Sequence, residues 1–458
     1  MSEHDPFCLT THNRPCNCHE LRGTGAAKDD QPVSLEAART RKRRPRKRDK
    51  PRPSEKPPSR PGVSKSGQLL GEVHQVFGRW FGAEYDLGAL DAVLAVAAAE
   101  RLGGDPCWLL VVSGSGAAKT ETVMPLSGAG AVVVSTITGE AALLSGTPEK
   151  ERSAGATGGL LRKIGEAGIL VIKDFTSILS MNRDARAAVL AALREIYDGQ
   201  WNRDIGADGG MTLTWKGRLV IVGAVTTAWD SAHTVVSTMG DRFVLVRFDS
   251  KENRRTAGLQ ALRNVNHEAE MRQELAEYVA KLLDTIDPDA EIDLTDSEME
   301  TLLDLADIVT LARTAVERDY SGDVVQAHAP EMPTRFTKQL AQIARGGIAL
   351  GKSREDAFAV AARCAGDSMP PVRLAVLMDV TSNPRSRTAA VVKRVQLPRK
   401  TVDRVLQELH LLGLLVVDEE LYGQSSVRWV YSLAESISEE ALEKLARNGD
   451  PQSKDGAR

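Results

Sequence analysis

The sequence predicts an α/β protein with a mainly parallel sheet, followed by an all-helical region and a small helix-turn-helix module. Three observations carry this. Short apolar runs at 108–112, 169–172, 219–222 and 243–246 are separated by helical patterning, as expected of a parallel sheet covered on both faces. The first run leads into Ser-Gly-Ser-Gly-Ala-Ala-Lys-Thr at 113–120, a loop of small residues that opens a helix. Strand patterning then stops near residue 250, and the periodicity is helical up to the pair Pro370–Pro371.

Composition bounds the answer. A chain of 458 residues holds two or three domains, and 42% apolar with 26% charged residues is an ordinary globular mixture. No apolar run reaches the roughly eighteen residues of a membrane span, so no membrane partner is expected. The opening residues lack the basic start and apolar core of a signal peptide, which makes a cytoplasmic location the expectation. The net charge of −3 conceals an asymmetry: thirteen Lys/Arg and two acids between Arg39 and Lys65 give that stretch +11, leaving −14 elsewhere.

Read in order, residues 1–66 form a disordered tail, rich in Pro and Arg with little to bury. The basic arm 39–65 is either a phosphate-neutralising contact to DNA or a solvated linker. Cys8, His12, Cys16, Cys18 and His19 have the ligand density of a tetrahedral Zn²⁺ site, the alternative being free tail thiols. Residues 67–249 form the α/β core. Helical patterning at 69–102 precedes the first strand, with Leu87, Leu90, Val93, Leu94 and Ala97 on one face. A helix carrying Val189, Leu190, Leu193, Ile196 and Tyr197 follows the second strand, and then a hairpin turning at 207–210. Residues 250–366 form a helical lid with helices at 268–286, 297–318 and 334–366, the second opened by the capping box Thr295–Glu298. Residues 367–436 form the helix-turn-helix module, and 437–458 a C-terminal tail.

The strongest chemical signal is the loop. Backbone N–H groups of Gly114, Ser115, Gly116, Ala117 and Ala118 would face phosphate oxygens at a helix N-terminus. Lys119 would neutralise the β- and γ-phosphates, and the Thr120 hydroxyl would ligate Mg²⁺. Ser113 and Ala118 stand where the phosphate-loop pattern has glycine; a helical backbone at 118 would tolerate the Cβ. At the end of the second strand Asp174 is the one acid, Lys173 standing where a second acid is usual. By spacing Asp174 is the water-activating base, and with Thr120 the remaining Mg²⁺ ligand.

Together these elements resemble AAA+ P-loop ATPases, especially the branch with a hairpin before sensor 1, to which the minichromosome maintenance helicases belong. The resemblance covers about 107–345 and rests on GILVIKDF, AAVLAALREIYDGQW, GRLVIVGAVT and MGDRFVLVRFD. It implies ATP and Mg²⁺ as cofactors and a homo-oligomeric ATPase, helicase-like or remodelling, acting on DNA. It also implies three catalytic roles: Thr226 as the γ-phosphate sensor, Arg242 as a finger reaching a neighbouring subunit, and Arg335 as the lid arginine. The wording LREIYDGQW and GADGG is also similar to ATP-binding proteins of phages and genomic islands. A nucleotide-controlled DNA-binding regulator with little hydrolysis is the alternative activity, and an ATP-dependent scaffold a third.

Residues 371–433 resemble a winged helix-turn-helix. Its third helix buries Val402, Val405, Leu406, Leu409 and Leu412 and stops at Gly413. Arg399, Lys400 and Arg404 lie on the expected outer face, where they would meet DNA, with Arg428 on the wing. Docking to protein is the other use of such a module.

Overall fold

The computed structural model describes residues 64–116, 118–146, 157–206, 210–237, 242–248, 254–422 and 426–447. The Cys/His cluster at 8–19, nearly all of the basic arm, Ala117 and positions 207–209 of the hairpin turn lie outside them.

The chain opens with helices α1 (Lys65–Phe81) and α2 (Leu87–Leu102), capped by the side chains of Ser64 and Asp86. Strand β1 (Trp108–Val112) leads through the loop into the short helix α3 (Lys119–Val123), followed by β2 (Val132–Val134) and helices α4 (Glu140–Leu143) and α5 (Leu160–Ile164). Next come β3 (Ala167–Ile172), α6 (Thr176–Leu179), α7 (Arg183–Tyr197) and the antiparallel hairpin β4 (Gln200–Ile205) and β5 (Met211–Lys216). Strand β6 (Arg218–Val225), α8 (Ala228–Ser237) and β7 (Phe243–Arg247) complete the core.

The sheet order is β2-β3-β6-β1-β7 and every pairing is parallel. All five strands therefore end at one edge, which gathers the loop after Val112, Asp174 after β3 and Thr226 after β6. Four of the strands are those the sequence predicts. The fifth, β2, is a three-residue edge strand of half-buried valines, too short to show a period. Helix α2 departs from a one-faced pattern: every residue from Ala89 to Ala99 is buried. Its alanines allow the lid helix carrying Gly346 to approach closely: a Cβ on Gly346 would lie 1.9 Å from the Ala95 carbonyl oxygen.

The lid holds α9 (Arg254–Arg263), α10 (Glu268–Leu283), α11 (Asp296–Arg313), the strands β8 (Val316–Arg318) and β9 (Val324–Ala327), α12 (Thr334–Ala349) and α13 (Arg354–Asp367). The capping box at Thr295 is present, both bonds formed. Two expectations fail here. Strands do not stop at 250, since the predicted helix 297–318 ends at Arg313 and the chain turns back as the β8–β9 hairpin. The helix expected over 334–366 is two helices, broken at Gly351, whose φ of +85° no helix accommodates.

The C-terminal module comprises α14 (Pro371–Ser382), α15 (Thr388–Val395), α16 (Arg399–Leu411) and the antiparallel wing β10 (Leu415–Tyr422) and β11 (Ser426–Leu433), then α17 (Glu439–Arg447). Val402, Val405, Leu406, Leu409 and Leu412 are all buried, as the stripe predicts, and Gly413 has φ +76°. This is a winged helix-turn-helix. Among the described residues no helix is long and apolar enough to cross a membrane.

Candidate nucleotide site at the C-terminal edge of the sheet

Ser113 follows β1 with its N–H bonded to the Val225 carbonyl, 3.2 Å away, so the loop starts from a fixed point between β1 and β6. Gly114, Ser115 and Gly116 are exposed. Gly116 has φ +82°, a left-handed conformation glycine adopts freely. Ala118 also has φ +57° and ψ +6°. The helical backbone expected there is not found. A Cβ in this region costs about 1–2 kcal/mol, and the physical reason is that the loop must reverse before α3 begins.

Lys119 curls over the loop, its Nζ donating to the Gly114 carbonyl at 2.9 Å and to Ser113 at 3.4 Å. Partial burial lowers the pKa of its ammonium, and the nearby Asp174 carboxylate works the other way. The loop lysine and the strand-end acid thus share one electrostatic neighbourhood. Asp174 accepts from the Ser177 hydroxyl and, at 3.4 Å, from the Ser177 N–H, which holds it at the start of α6. Thr226 follows β6, between the loop and Asp174, and bonds to Thr176.

Beside the loop opens a cavity of about 390 Å³. One wall is aromatic: Trp80, Phe81, Tyr85 and Phe248, with the Phe81 and Tyr85 rings stacked 5.0 Å apart. The other is the start of the lid, with Asn264 and Met271. Tyr85 is tied to the loop helix through a 2.7 Å bond to Thr122. A flat π-system fits such a wall, stacking on or meeting ring edges. Larger open grooves elsewhere contain no residue of the loop. Sequence reading missed this cavity, because its walls come from residues about 170 apart; the aromatics clustered at 77–85 were the available signal.

Asp86, on the cavity wall, belongs to a chain of charge pairs behind it. Asp86 receives both ends of Arg363, at 2.6 and 2.5 Å, and Arg247 meets Asp230 in the same way, at 3.0 and 2.7 Å. Between them Asp367 accepts from the Arg247 N–H at 2.8 Å; burial outweighs Arg363 and pushes its carboxyl up to about 6.

Arg242 and Arg335 are not at this edge. Arg242 precedes Phe243, which pairs with Trp108 at the start of β1, whereas Lys119 follows the end of β1. Five residues of strand separate the two ends by about 13 Å. There Arg242 and Arg335 lie 5.7 and 5.9 Å from the same Tyr197 ring. Asp198 is 3.5 Å from Arg242, and Glu331 is shared between Arg335 and Arg313. Burial and the neighbouring Arg335 both lower the Arg242 pKa. The parallel strands deliver Asp174, Thr226, Lys119 and Thr120 to one edge of the sheet and set these two arginines apart as a second cluster at the other.

On the winged helix, Arg399 and Lys400 are exposed at the start of α16. Arg404 is not on an open face: it donates to the Ser321 carbonyl at 2.8 Å and lies on Gly322 at the tip of the β8–β9 hairpin. One turn on, buried Glu408 pairs with Arg318 of β8 and with Arg373, the latter at 2.9 Å. The hairpin covers this face because the chain leaves the helical path at 313. Arg428 is bound to Glu420 at 2.8 Å, within the wing.

Among the described residues no group of three His, Cys, Asp or Glu stands ready to hold a metal. Mg²⁺ is held by one or two carboxylates plus substrate phosphates and water rather than by an all-protein cage. Thr120 and Asp174 are the residues that would hold it.

The fold and site together define a parallel α/β core with a loop of small residues at its C-terminal edge, a helical lid and a winged helix. No protein-family model matches the sequence, and no curated protein matches it. Among solved structures the chain is similar to the Aeropyrum pernix ORC1 protein in a complex with DNA, at 14% identity over 84% of this chain and 93% of that one, with a TM-score of 0.21. It is also similar to the C-terminal region of NrS-1 in an apo form, at 11% identity over 80% and 76% with a TM-score of 0.23. Superpositions this loose bear on neither the fold nor the activity.

Proposed function

We propose that this chain is an AAA+ type ATPase that binds ATP and Mg²⁺ at the C-terminal edge of the sheet and works as a homo-oligomer on DNA. The observation that carries the nucleotide reading is the loop with Lys119 facing Asp174 on one side and an aromatic-walled cavity on the other. Phosphates would lie on the loop amides and α3, the base in the cavity. Lys119 would offset phosphate charge, Thr120 and Asp174 would hold the metal, and among the described residues Asp174 is the strand-end carboxylate that would orient water. The β4–β5 hairpin just before β6 supports placing the chain near the minichromosome maintenance branch. The separation of Arg242 and Arg335 from the loop supports a neighbour: they lie at the opposite edge from Lys119, so a second copy would have to present them to its phosphates. The test is ATP titration and phosphate release by the full chain, with mass in solution measured alongside. A chain that binds no ATP sinks the proposal.

For DNA, Arg399, Lys400 and the basic arm 39–65 are the proposed contacts. Deleting residues 1–63 should weaken binding broadly and flatten its salt dependence, since phosphate contacts release counterions. An unchanged salt slope would make the arm a linker.

A second reading is favoured by one observation, the β8–β9 hairpin seated on α16 through Arg404 and Glu408. A lid that moves with nucleotide would then uncover the helix, and the chain would be a regulator with little turnover. DNA affinity that is identical with and without a non-hydrolysable ATP analogue would exclude it.

A further inference from the structure

Thr176, the first residue of α6, is bound to Thr226 twice. It accepts from the Thr226 N–H at 3.0 Å and donates its own proton to the Thr226 hydroxyl at 3.3 Å. The Thr226 hydroxyl also accepts from the Ala228 N–H at 3.4 Å. A threonine hydroxyl has one proton to give and two lone pairs to receive. Both lone pairs of Thr226 are thus engaged, and its proton alone is left to interact.

From this we infer that Thr176 is a positioning residue that makes Thr226 a donor only. β6 lies between β1 and β3, so Thr226 stands between the loop and Asp174, where its free proton would serve an oxygen in the gap. An anionic oxygen there, as on the terminal phosphate of a nucleoside triphosphate, is accepted. A diphosphate, which places no oxygen in the gap, gains nothing. Thr226 is also excluded from taking a proton from water, which leaves that work to Asp174. The inference rests on the nucleotide reading above and deepens it: Thr176 sets the discrimination of triphosphate from diphosphate without touching either.

The experiment uses the full chain with ATP and ADP as probes, and Thr176→Val, Thr176→Ser, Thr226→Val and the Thr176→Val/Thr226→Val pair. Thr176→Val should lower phosphate release and the preference for ATP over ADP roughly ten- to hundredfold, the scale of one hydrogen bond to a charged group, with ADP affinity unchanged. Thr176→Ser should restore most of the loss. Adding Thr176→Val to Thr226→Val should cost nothing further, since one residue acts through the other. Additive losses, or ADP and ATP affinity falling together, would overturn the inference. Should Thr176→Val not fold, Thr176→Ala carries the same comparison. A wild-type chain that binds no ATP, or Lys119→Ala that binds it equally well, defeats the nucleotide reading itself. An active wild type with an unaffected Thr176→Val defeats only the role of Thr176.

Discussion

At the C-terminal edge of the sheet the polar groups stand on loops around open space, whereas at the N-terminal edge Arg242 and Arg335 lie packed on Tyr197 and braced by Asp198 and Glu331. The first edge offers backbone amides, a helix start and one lysine, which suit an anion that enters and leaves. The second holds its cations in place before anything arrives, which suits a group that must act without rearranging. On the proposed function, a complete site would join the two edges across a contact between two copies, and the comparison can be broken at either end.

The largest effect should come from the loop. Lys119→Ala should reduce ATP affinity by at least about a hundredfold, because the charge facing the phosphates is lost. Isothermal titration of the folded variant checks it, and undiminished affinity would mean that the cradle lies elsewhere.

Next in size is the opposite edge. Arg242→Ala should leave ATP affinity within about threefold of wild type yet lower turnover on the order of a thousandfold, the usual scale for a phosphate-facing arginine from a neighbour. Mixing Arg242→Ala with Asp174→Asn subunits should restore part of the rate, since some interfaces regain one intact site. If assembled mixtures stay inactive, the two edges do not complement each other.

Two smaller effects sharpen the C-terminal edge. Ala118→Gly should relieve the left-handed backbone and raise folding stability by up to about 1 kcal/mol, less whatever the looser unfolded chain takes back. A lower melting temperature would show that the Cβ at 118 makes a useful contact. Asp367→Asn should change how stability varies with pH. The Asp367 carboxyl, at about 6 when folded against an ordinary 3.8, binds its proton more tightly in the native state. Its contribution to stability is present below pH 4 and is lost as pH rises through 6. Wild type should therefore lose stability relative to Asp367→Asn between about pH 4 and 6. Melting temperatures across that range give the difference, and parallel curves would refute the shift.

Much of the architecture was legible because it depends on near neighbours in the chain. Four core strands, the β4–β5 hairpin, the capping box at Thr295 and the buried stripe of α16 each follow from local periodicity or local hydrogen bonding. So did the meeting of Lys119, Asp174 and Thr226, since parallel strands deliver their ends to one edge whatever else the chain does. What local pattern could not show was decided by distant contacts. β2 is too short for a period and exists because β3 offers it an edge. Ala118 is left-handed because the turn into α3 demands it, at a position where composition suggested a helix. The aromatic cavity closes only when residues near 80 meet the lid near 264. Arg404 has the spacing of an outward residue on α16, yet a hairpin from the preceding region covers it. Sequence by itself determined the elements and the edge at which the polar residues gather. Tertiary structure alone decided which charges stay open to a ligand, because burial and pairing depend on segments that no local pattern connects.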